Sequence, residues 1–550
     1  SGVDYSHLAL SQQADFCFQG DPGVGTGICF ALGPMESIVY NSQLFGTEYA
    51  AVCEGRSDVI FSRVTNSFFQ SFLGLLLAVL SVLLLPTSLM AARPQVRSLE
   101  MLEDAELTDV TFVDPDRGWA VGDRGVIWQT VDGGRHWTLH ANRVDGRLES
   151  IQFVDRQHGW IAGGRIRPYS QQSKGVLLYT ADGGRRWTEI PIPTLPALRE
   201  IRFLDQRHGW AVGASSGMYP AGIFRTRDGG RTWSPLPAGR VPGWQTGDFH
   251  NHQQGVVAGS QGQVAWVNSN QLKPTTNPSW GDRSLRLLRL ASPTDGWLIG
   301  DQGLVLVSRD GGLHWKKPMG DLPRSVGDQF DFRALALAGK HCWIAGTPGS
   351  RVLHSADGGR TWDVFSTPQA LPIAALDFLD TERGWAVGAL GTIMATRDGG
   401  KSWRVQRRGG ERAAILGIYS QSNQVPWESF AKFAGNQGYL SVIQVLDQAQ
   451  PVMGRQAVLD QEQQLAAAVT SVGGSSSGLV GSFTFPHPQL KLTAQQIAQH
   501  WDRRTEIPSW QILEEQMVRR IRQWRPDVVL TESASAQRHQ PAAQLTHQLV

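Results

Sequence analysis

Six aspartates, Asp132, Asp182, Asp228, Asp310, Asp357 and Asp398, recur in one setting, Ser/Thr-x-Asp-Gly-Gly-x-x-Trp, from "TVDGGRHWT" at Thr130 to "TRDGGKSWR" at Thr396. A carboxylate beside two glycines can do one of two things. It can help ligate a cation through oxygen, or it can accept hydrogen bonds from the N–H groups of its own turn while a glycine takes a positive φ. Carboxylates spread over six repeats of a ring point six ways and cannot converge on one substrate. The second reading is therefore preferred, with the tryptophan burying its ring against the neighbouring repeat. No catalytic residue, metal ligand or cofactor is assigned to these strings.

The elements that carry these turns also repeat. Upstream of them come "VTFVDPDRGWAVGDRGVIWQT" from Val110, "IQFVDRQHGWIAGG" from Ile151, "IRFLDQRHGWAVGA" from Ile201 and "LDFLDTERGWAVGALGTIMAT" from Leu376, with weaker copies from Leu288 and Leu335. A further copy from Gly247 keeps the spacing but has lost both the tryptophan and the Asp-Gly-Gly string. Seven units of roughly 44 residues fall in the range of propeller blades. Within a unit, short alternating apolar runs separated by glycine turns describe four antiparallel strands, A to D. In the first unit they are Val110 to Val113, Trp119 to Val121, Val126 to Thr130 and Trp137 to Leu139. The expected fold is mainly β, a seven-bladed β-propeller over residues 100–408. An open solenoid would need capping repeats, and both ends look like ordinary blades.

A propeller has two faces. The A–B and C–D turns share one, with the Asp-Gly-Gly strings. The B–C and D–A loops share the other, where the insertions "GGRIRPYSQQSKG" (blade 2) and "GASSGMYPAG" (blade 3) fall. Loop insertions clustered on one face mark a working surface. Arg124, Arg143, Arg147, Arg165, Arg167, Lys174, Arg240 and Arg351 gather there with Tyr169 and Tyr219, a basic rim suited to the tail or acidic loop of a protein partner. Nothing singles out nucleic acid. Charged residues are 18% of the 550 and the net charge is +2, so no whole-chain field argues for it either.

Of the four cysteines, Cys17, Cys29 and Cys53 precede the apolar run "FFQSFLGLLLAVLSVLLLPTSLMAARP" from Phe68, and only Cys342 follows it. A disulfide scaffold and a Cys-ligated zinc site are both disfavoured. The apolar run, residues 68–92, reads as an export signal or membrane anchor, with Arg63 on its cytoplasmic side. The expectation is an envelope protein on the extracytoplasmic side, held to the membrane if the segment is not removed. Residues 1–67 are expected to form no domain.

The strings resemble the Asp-box (BNR) repeat of sialidases. The combined unit "GWAVG…G-x-I…T-x-DGG-x-x-W", over roughly Leu107 to Arg407, resembles the photosystem II stability/assembly factor family. That resemblance implies a non-enzymatic propeller that chaperones a membrane-protein precursor. The Arg-Ile-Pro signature that opens the sialidase pattern is missing; "RIRP" at Arg165 lies inside an insertion. The carboxylate pair that glycoside hydrolysis needs is not evident either.

After Arg407 the pattern changes. "AAILGIY" and "YLSVIQVL" read as strands, Trp427 to Ala434 and "SWQILEEQMVRRIRQW" as helices, "PDVVL" as another strand, and "VGGSSSGLVGSF" as a loop-forming stretch. Alternating strands and helices predict a Rossmann-like α/β domain over 411–550. "VRRIRQWRPDVVLT" resembles the PIG-L/LmbE N-acetylglucosaminyl deacetylase family. The family's first metal motif falls on Tyr419 to Gln424, where Ser420 replaces histidine, Ser422 and Asn423 the aspartates, and Gln424 the glutamate. Ala543 replaces the histidine of the second motif, and His539 and His547 are the nearby imidazoles. These residues cannot hold a water-activating zinc, so an inactive and truncated domain is expected. The competing class is a hydrolase: a propeller glycosidase, or a deacetylase with a rebuilt metal site.

Overall fold

The computed structural model describes residues 99–140, 144–168, 170, 172–239, 243–275, 280, 283–323, 325–326, 330–446, 461–479, 492–503, 508–532 and 541–550. The expected extension 1–67 and the apolar segment 68–92 lie outside them, as do Arg143, Tyr169, Arg240 and His539. Among the described residues no helix is long and apolar enough to cross a membrane.

Seven antiparallel sheets follow one another along the chain, each built from consecutive strands. Blade 1 consists of Leu107–Phe112, Gly118–Gly122, Ile127–Thr130 and Thr138–Leu139. Blade 7 consists of Ile373–Phe378, Gly384–Gly388, Ile393–Thr396 and Arg404–Arg407. Strands A of neighbouring blades pack against one another around the centre. Strand B is buried along its whole length in four blades, for example Gly118–Gly122 and Gly384–Gly388. This is why glycines and tryptophans concentrate there: strand B is sandwiched between blades.

Two blades depart from the pattern. In blade 4, which lacks Asp-Gly-Gly, strands Val264–Asn268 and Gln271–Pro274 meet in a tight turn with Ser269 at φ 54°. In blade 5 the place of strand D is taken by one bridge, Val307 to Lys316.

Tryptophan and phenylalanine knit the blades together. The strand B tryptophan of one blade stacks on the phenylalanine that ends strand A of the next: Trp160 on Phe203 at 3.9 Å and 8°, Trp343 on Phe378 at 3.8 Å and 9°. The hairpin tryptophan then meets the same phenylalanine edge-on, as Trp233 does Phe203. Some of the buried indole N–H groups find a carbonyl in the next blade, as Trp160 does at Gly229 (3.0 Å) and Trp343 at Gly399 (2.8 Å).

The C-terminal part has a four-stranded parallel sheet in the order Ser476–Leu479, Ser441–Val445, Ile415–Tyr419, Val528–Thr531. The stretch expected to be loop-forming therefore contributes an edge strand, a correction to the sequence reading. Its Ser-Ser-Gly-Leu residues have little strand propensity, and pairing with Ser441–Val445 overrides it. Helix Ser509–Trp524 falls where expected. The helix expected over Trp427 to Ala434 starts as an α-turn, Trp427–Phe430, and continues as a π-helix, Ala431–Asn436. Leu371, Ala389 and Leu390 of the propeller share one apolar cluster with Leu416, Ile418, Val442, Met517 and Trp524. The α/β part therefore packs on the face formed by B–C and D–A loops.

Candidate functional site

The Asp-Gly-Gly hairpins are closed locally. Asp132 Oδ1 accepts the N–H of His136 at 2.9 Å and the hydroxyl of Thr130 at 2.9 Å, while Thr130 Oγ1 accepts the N–H of Gly134 at 2.8 Å. Gly133 and Gly134 take φ of 71° and 85°, a region a side chain would strain. The same pattern recurs at Asp182, Asp228, Asp310, Asp357 and Asp398. Gly133 N–H also bonds Asp116 O of the A–B turn, and Gly229 N–H bonds Arg207 O, so both turns share one face. The turn bonds to His136 and Thr130 hold the Asp132 carboxyl down at about 2. Each of these carboxylates is engaged within its own hairpin.

A cavity of about 190 Å³ lies among strands A, lined by Arg147, Glu149, Glu200, Arg286, Arg289 and Arg333, with Glu462 at its end. Glu462 opens the helix Gln461–Ser471 of the α/β part. Its carboxylate is gripped by Arg286 and by Arg333, the latter at 2.7 Å. Burial opposes its ionisation, but the two guanidinium groups outweigh burial and hold the carboxyl well below the usual range. Arg286 also forms a two-point pair with Asp301, both bonds 2.8 Å. The sequence reading missed Glu462, Arg286 and Arg333. Strand alternation could have placed the two arginines in the channel, but nothing local marks Glu462.

Two residues assigned to an open basic rim are in fact occupied. Arg124 is 6% exposed and donates to the carbonyls of Gly474 (2.6 Å) and Met101 (3.3 Å). Arg147 pairs with Asp123 at 2.7 Å and Glu149 at 3.1 Å, with Glu106 at 3.7 Å. The physical reason differs between the two: the docked α/β part takes up Arg124, whereas carboxylates of the propeller's own first and second blades take up Arg147. The remaining rim residues are more open: Arg167 and Lys174 are exposed, Arg165 pairs with Glu189 at 3.0 Å, Tyr219 donates to Thr194 at 3.0 Å, and Arg351 to Ser325 at 3.4 Å.

In the α/β part, Ser420 follows the strand Ile415–Tyr419 and Glu532 follows Val528–Thr531, its neighbour in the sheet. Ser420 donates both its N–H (2.7 Å) and its hydroxyl (2.6 Å) to Glu532 Oε1. Burial raises the Glu532 carboxyl, and the Ser420 bonds only partly counter this. His547 Nδ1 donates to the Glu532 carbonyl at 2.8 Å. Ser422, Asn423 and Gln424 form a short helical turn, and Ala543 is buried in the helix Pro541–Leu549. A buried Ser–Glu pair thus stands where the deacetylase resemblance would put a metal ligand; Glu532 was not singled out from sequence.

A family model described as photosynthesis system II assembly factor YCF48 matches residues 90–197 and 282–375. The photosystem II assembly lipoprotein Ycf48 of Synechococcus sp. (strain CC9902) is 36% identical over 118 residues, 20% of this chain and 33% of that protein. The chloroplastic photosystem II stability/assembly factor HCF136 of Arabidopsis thaliana is 30% identical over 116 residues, 20% of this chain and 28% of that protein. The chain thus spans about a third of the length of the curated relatives it matches. A solved structure of YCF48 bound to D1 peptide is 22% identical, covering 53% of this chain and 92% of that chain with a TM-score of 0.43. The Asp-box repeats of this seven-bladed propeller are therefore similar in sequence to those of Ycf48 and HCF136.

Proposed function

We propose that the protein is an extracytoplasmic assembly factor: its propeller holds a segment of a partner protein, a membrane protein or its tail, and performs no chemistry on it. The observation that carries this reading is the family-model match over blades 1–2 and 5–6. The Asp-Gly-Gly carboxylates, each tied into its own turn, agree with it. The partner surface is the rim of blades 2 and 3, where Arg165, Arg167 and Lys174 border the insertions beside Tyr219, and where an acidic segment would find guanidinium and ammonium groups. Such contacts favour the on-rate and weaken with salt.

The C-terminal part is read as a PIG-L/LmbE-like domain retained for packing and binding rather than for hydrolysis. What supports this is the Ser420–Glu532 pair and the burial of Ala543, neither of which offers a histidine to a catalytic zinc.

The test uses the D1 peptide of the solved YCF48 complex and the full chain. Replacing Arg165, Arg167 and Lys174 together by Ser should lower peptide affinity and flatten its salt dependence, with little change in melting temperature. Unchanged affinity and salt profile would remove the rim from the proposal. Absence of binding by the unmodified chain would remove that partner class.

A further inference from the structure

We propose that Asp205, His208 and His252 form a divalent transition-metal site that ties blade 3 to blade 4. Their ligand atoms, one carboxylate oxygen and two imidazole nitrogens, lie within 4.8 Å of one another. The His208 and His252 rings are 4.1 Å apart, and His208 Nδ1 is 2.9 Å from Asp205 Oδ2. A tetrahedral zinc holds nitrogen and oxygen at about 2.0–2.2 Å, which puts ligands roughly 3.4 Å apart. His252 is exposed, which leaves its side chain room to turn toward the other two. Imidazole and carboxylate together suit zinc, copper or nickel better than calcium or magnesium.

The repeat provides an internal control. In blade 2 the Asp–His pair also exists: Asp155 Oδ1 accepts the N–H groups of Gln157 (2.7 Å) and His158 (2.8 Å), and His158 Nδ1 sits 2.8 Å from Asp155 Oδ2. Asp205 does the same for Arg207 and His208. By itself, then, the pair closes an A–B turn. The next blade adds the difference. Beside Asp155 and His158 it supplies Gln206, whose amide donates to Asp155 at 3.1 Å. Beside Asp205 and His208, the residue in the same place of the turn is His252. It stands one position after Asn251, just as Gln206 stands one after Asp205, and Asn251 accepts the N–H groups of Gln253 and Gln254 as Asp205 accepts those of its own turn.

The site also falls at a particular joint. Blade 4 lacks the Asp-Gly-Gly hairpin, so Trp210 has no hairpin glycine to bond. Its indole N–H goes instead to Asn251 O, at 3.3 Å, and this draws the turn bearing His252 against blade 3. A metal bridge would add a tie between blades 3 and 4 beside this bond and the stack of Trp210 on Phe249. The three ligands lie on the face of A–B turns, away from the docked α/β part.

The full chain, stripped of metal by EDTA and dialysed, is titrated with zinc chloride by calorimetry, and its unfolding midpoint is recorded with and without zinc. One equivalent should bind, and zinc should raise the midpoint, because an ion bound only by the folded state stabilises it. Losing an outer partner of a metal ligand typically costs roughly 10–100-fold in affinity, so His252→Gln, which loses a ligand, should cost at least that. Because His252 is exposed, the metal-free variant should melt with the unmodified chain. Gln206→His, which copies the blade 4 residue beside Asp155 and His158, should gain a further equivalent and provides a test that needs no loss of stability. Zinc uptake by His252→Gln equal to that of the unmodified chain, or no uptake at all, would overturn the proposal.

Discussion

Phe112, the last residue of the first inner strand, lies face to face with Trp385 of the seventh blade, ring centroids 3.5 Å apart and planes 10° from parallel. The contact is the same one that joins Trp160 to Phe203 within the ring, yet here it joins the two ends of the propeller. Neither end blade borrows a strand from the other. Closure rests on side chains: this stack, the Phe112 N–H donated to Asp377 at 2.7 Å, and Gln406, which donates to Gly133 O at 2.9 Å and accepts from Trp137 at 3.3 Å.

Phe112→Ala should therefore open the seam. Truncating a buried phenylalanine costs about 3–5 kcal/mol. The expected outcome is a lower unfolding midpoint by tryptophan fluorescence, with faster hydrogen exchange in blades 1 and 7 than in blades 3 and 4. Uniform exchange across all blades would contradict a seam closed by these side chains.

Asp377 gives the seam a pH dependence. Burial, with Asp109 nearby, pushes its carboxyl from 3.8 to about 7, and burial raises Asp109 to about 6. A carboxyl raised on folding takes up a proton when the chain folds, so its stabilising contribution is full below about 4 and is lost as pH rises through 6 to 7. Asp377→Asn keeps an oxygen for the Phe112 N–H and cannot ionise. It should be more stable than the unmodified chain at pH 8, by about 1–3 kcal/mol, with the advantage shrinking as pH falls and gone only near pH 4. Melting temperatures across that range are the check.

Asp228→Ala removes the acceptor of the Thr232 N–H and of the Thr226 and Thr232 hydroxyls. Unsatisfied turn groups cost about 1–3 kcal/mol. Peptide binding by the folded fraction should be unchanged. Lost binding at an unchanged midpoint would turn the hairpins from structural parts into a site.

Glu462→Ala leaves Arg286 and Arg333 facing a buried gap. Breaking a buried ion pair from one side costs about 3–5 kcal/mol, and the cost should fall on docking of the α/β part. Limited proteolysis, followed by mass spectrometry, should release that part sooner while the propeller survives intact. Equal cleavage rates would mean that the apolar contact around Leu390 and Trp524 holds it alone.

Ser420→Ala should leave the chain without N-acetylglucosaminyl deacetylase turnover, as the unmodified chain is expected to be, and should lower its melting temperature by exposing Glu532 to burial with one bond fewer. Chelator-sensitive turnover by the unmodified chain would overturn the reading of a retired domain.

The blades were legible in the sequence because what makes them is local. Thr130, Asp132, Gly134 and His136 satisfy one another within a single turn, so six copies of the string announce six hairpins, and the spacing of Trp119 to Trp385 counts the blades even where blade 4 has lost its signature. The alternation of strands and helices after Arg407 announced a parallel sheet for the same reason, although the Ser476–Leu479 edge strand, poor in strand propensity, did not show. What the tertiary structure decided is how distant pieces meet. Arg124 reaches Gly474 across 350 positions, and Arg286 reaches Glu462 across 176. A basic residue on a loop reads the same whether it faces water or a docked domain. The fold determines which arginines of the rim are already taken, Arg124 by the docked α/β part and Arg147 by Asp123 and Glu149 of the propeller itself, since a guanidinium group pairs with whatever acceptor packing brings within reach, wherever it lies along the chain.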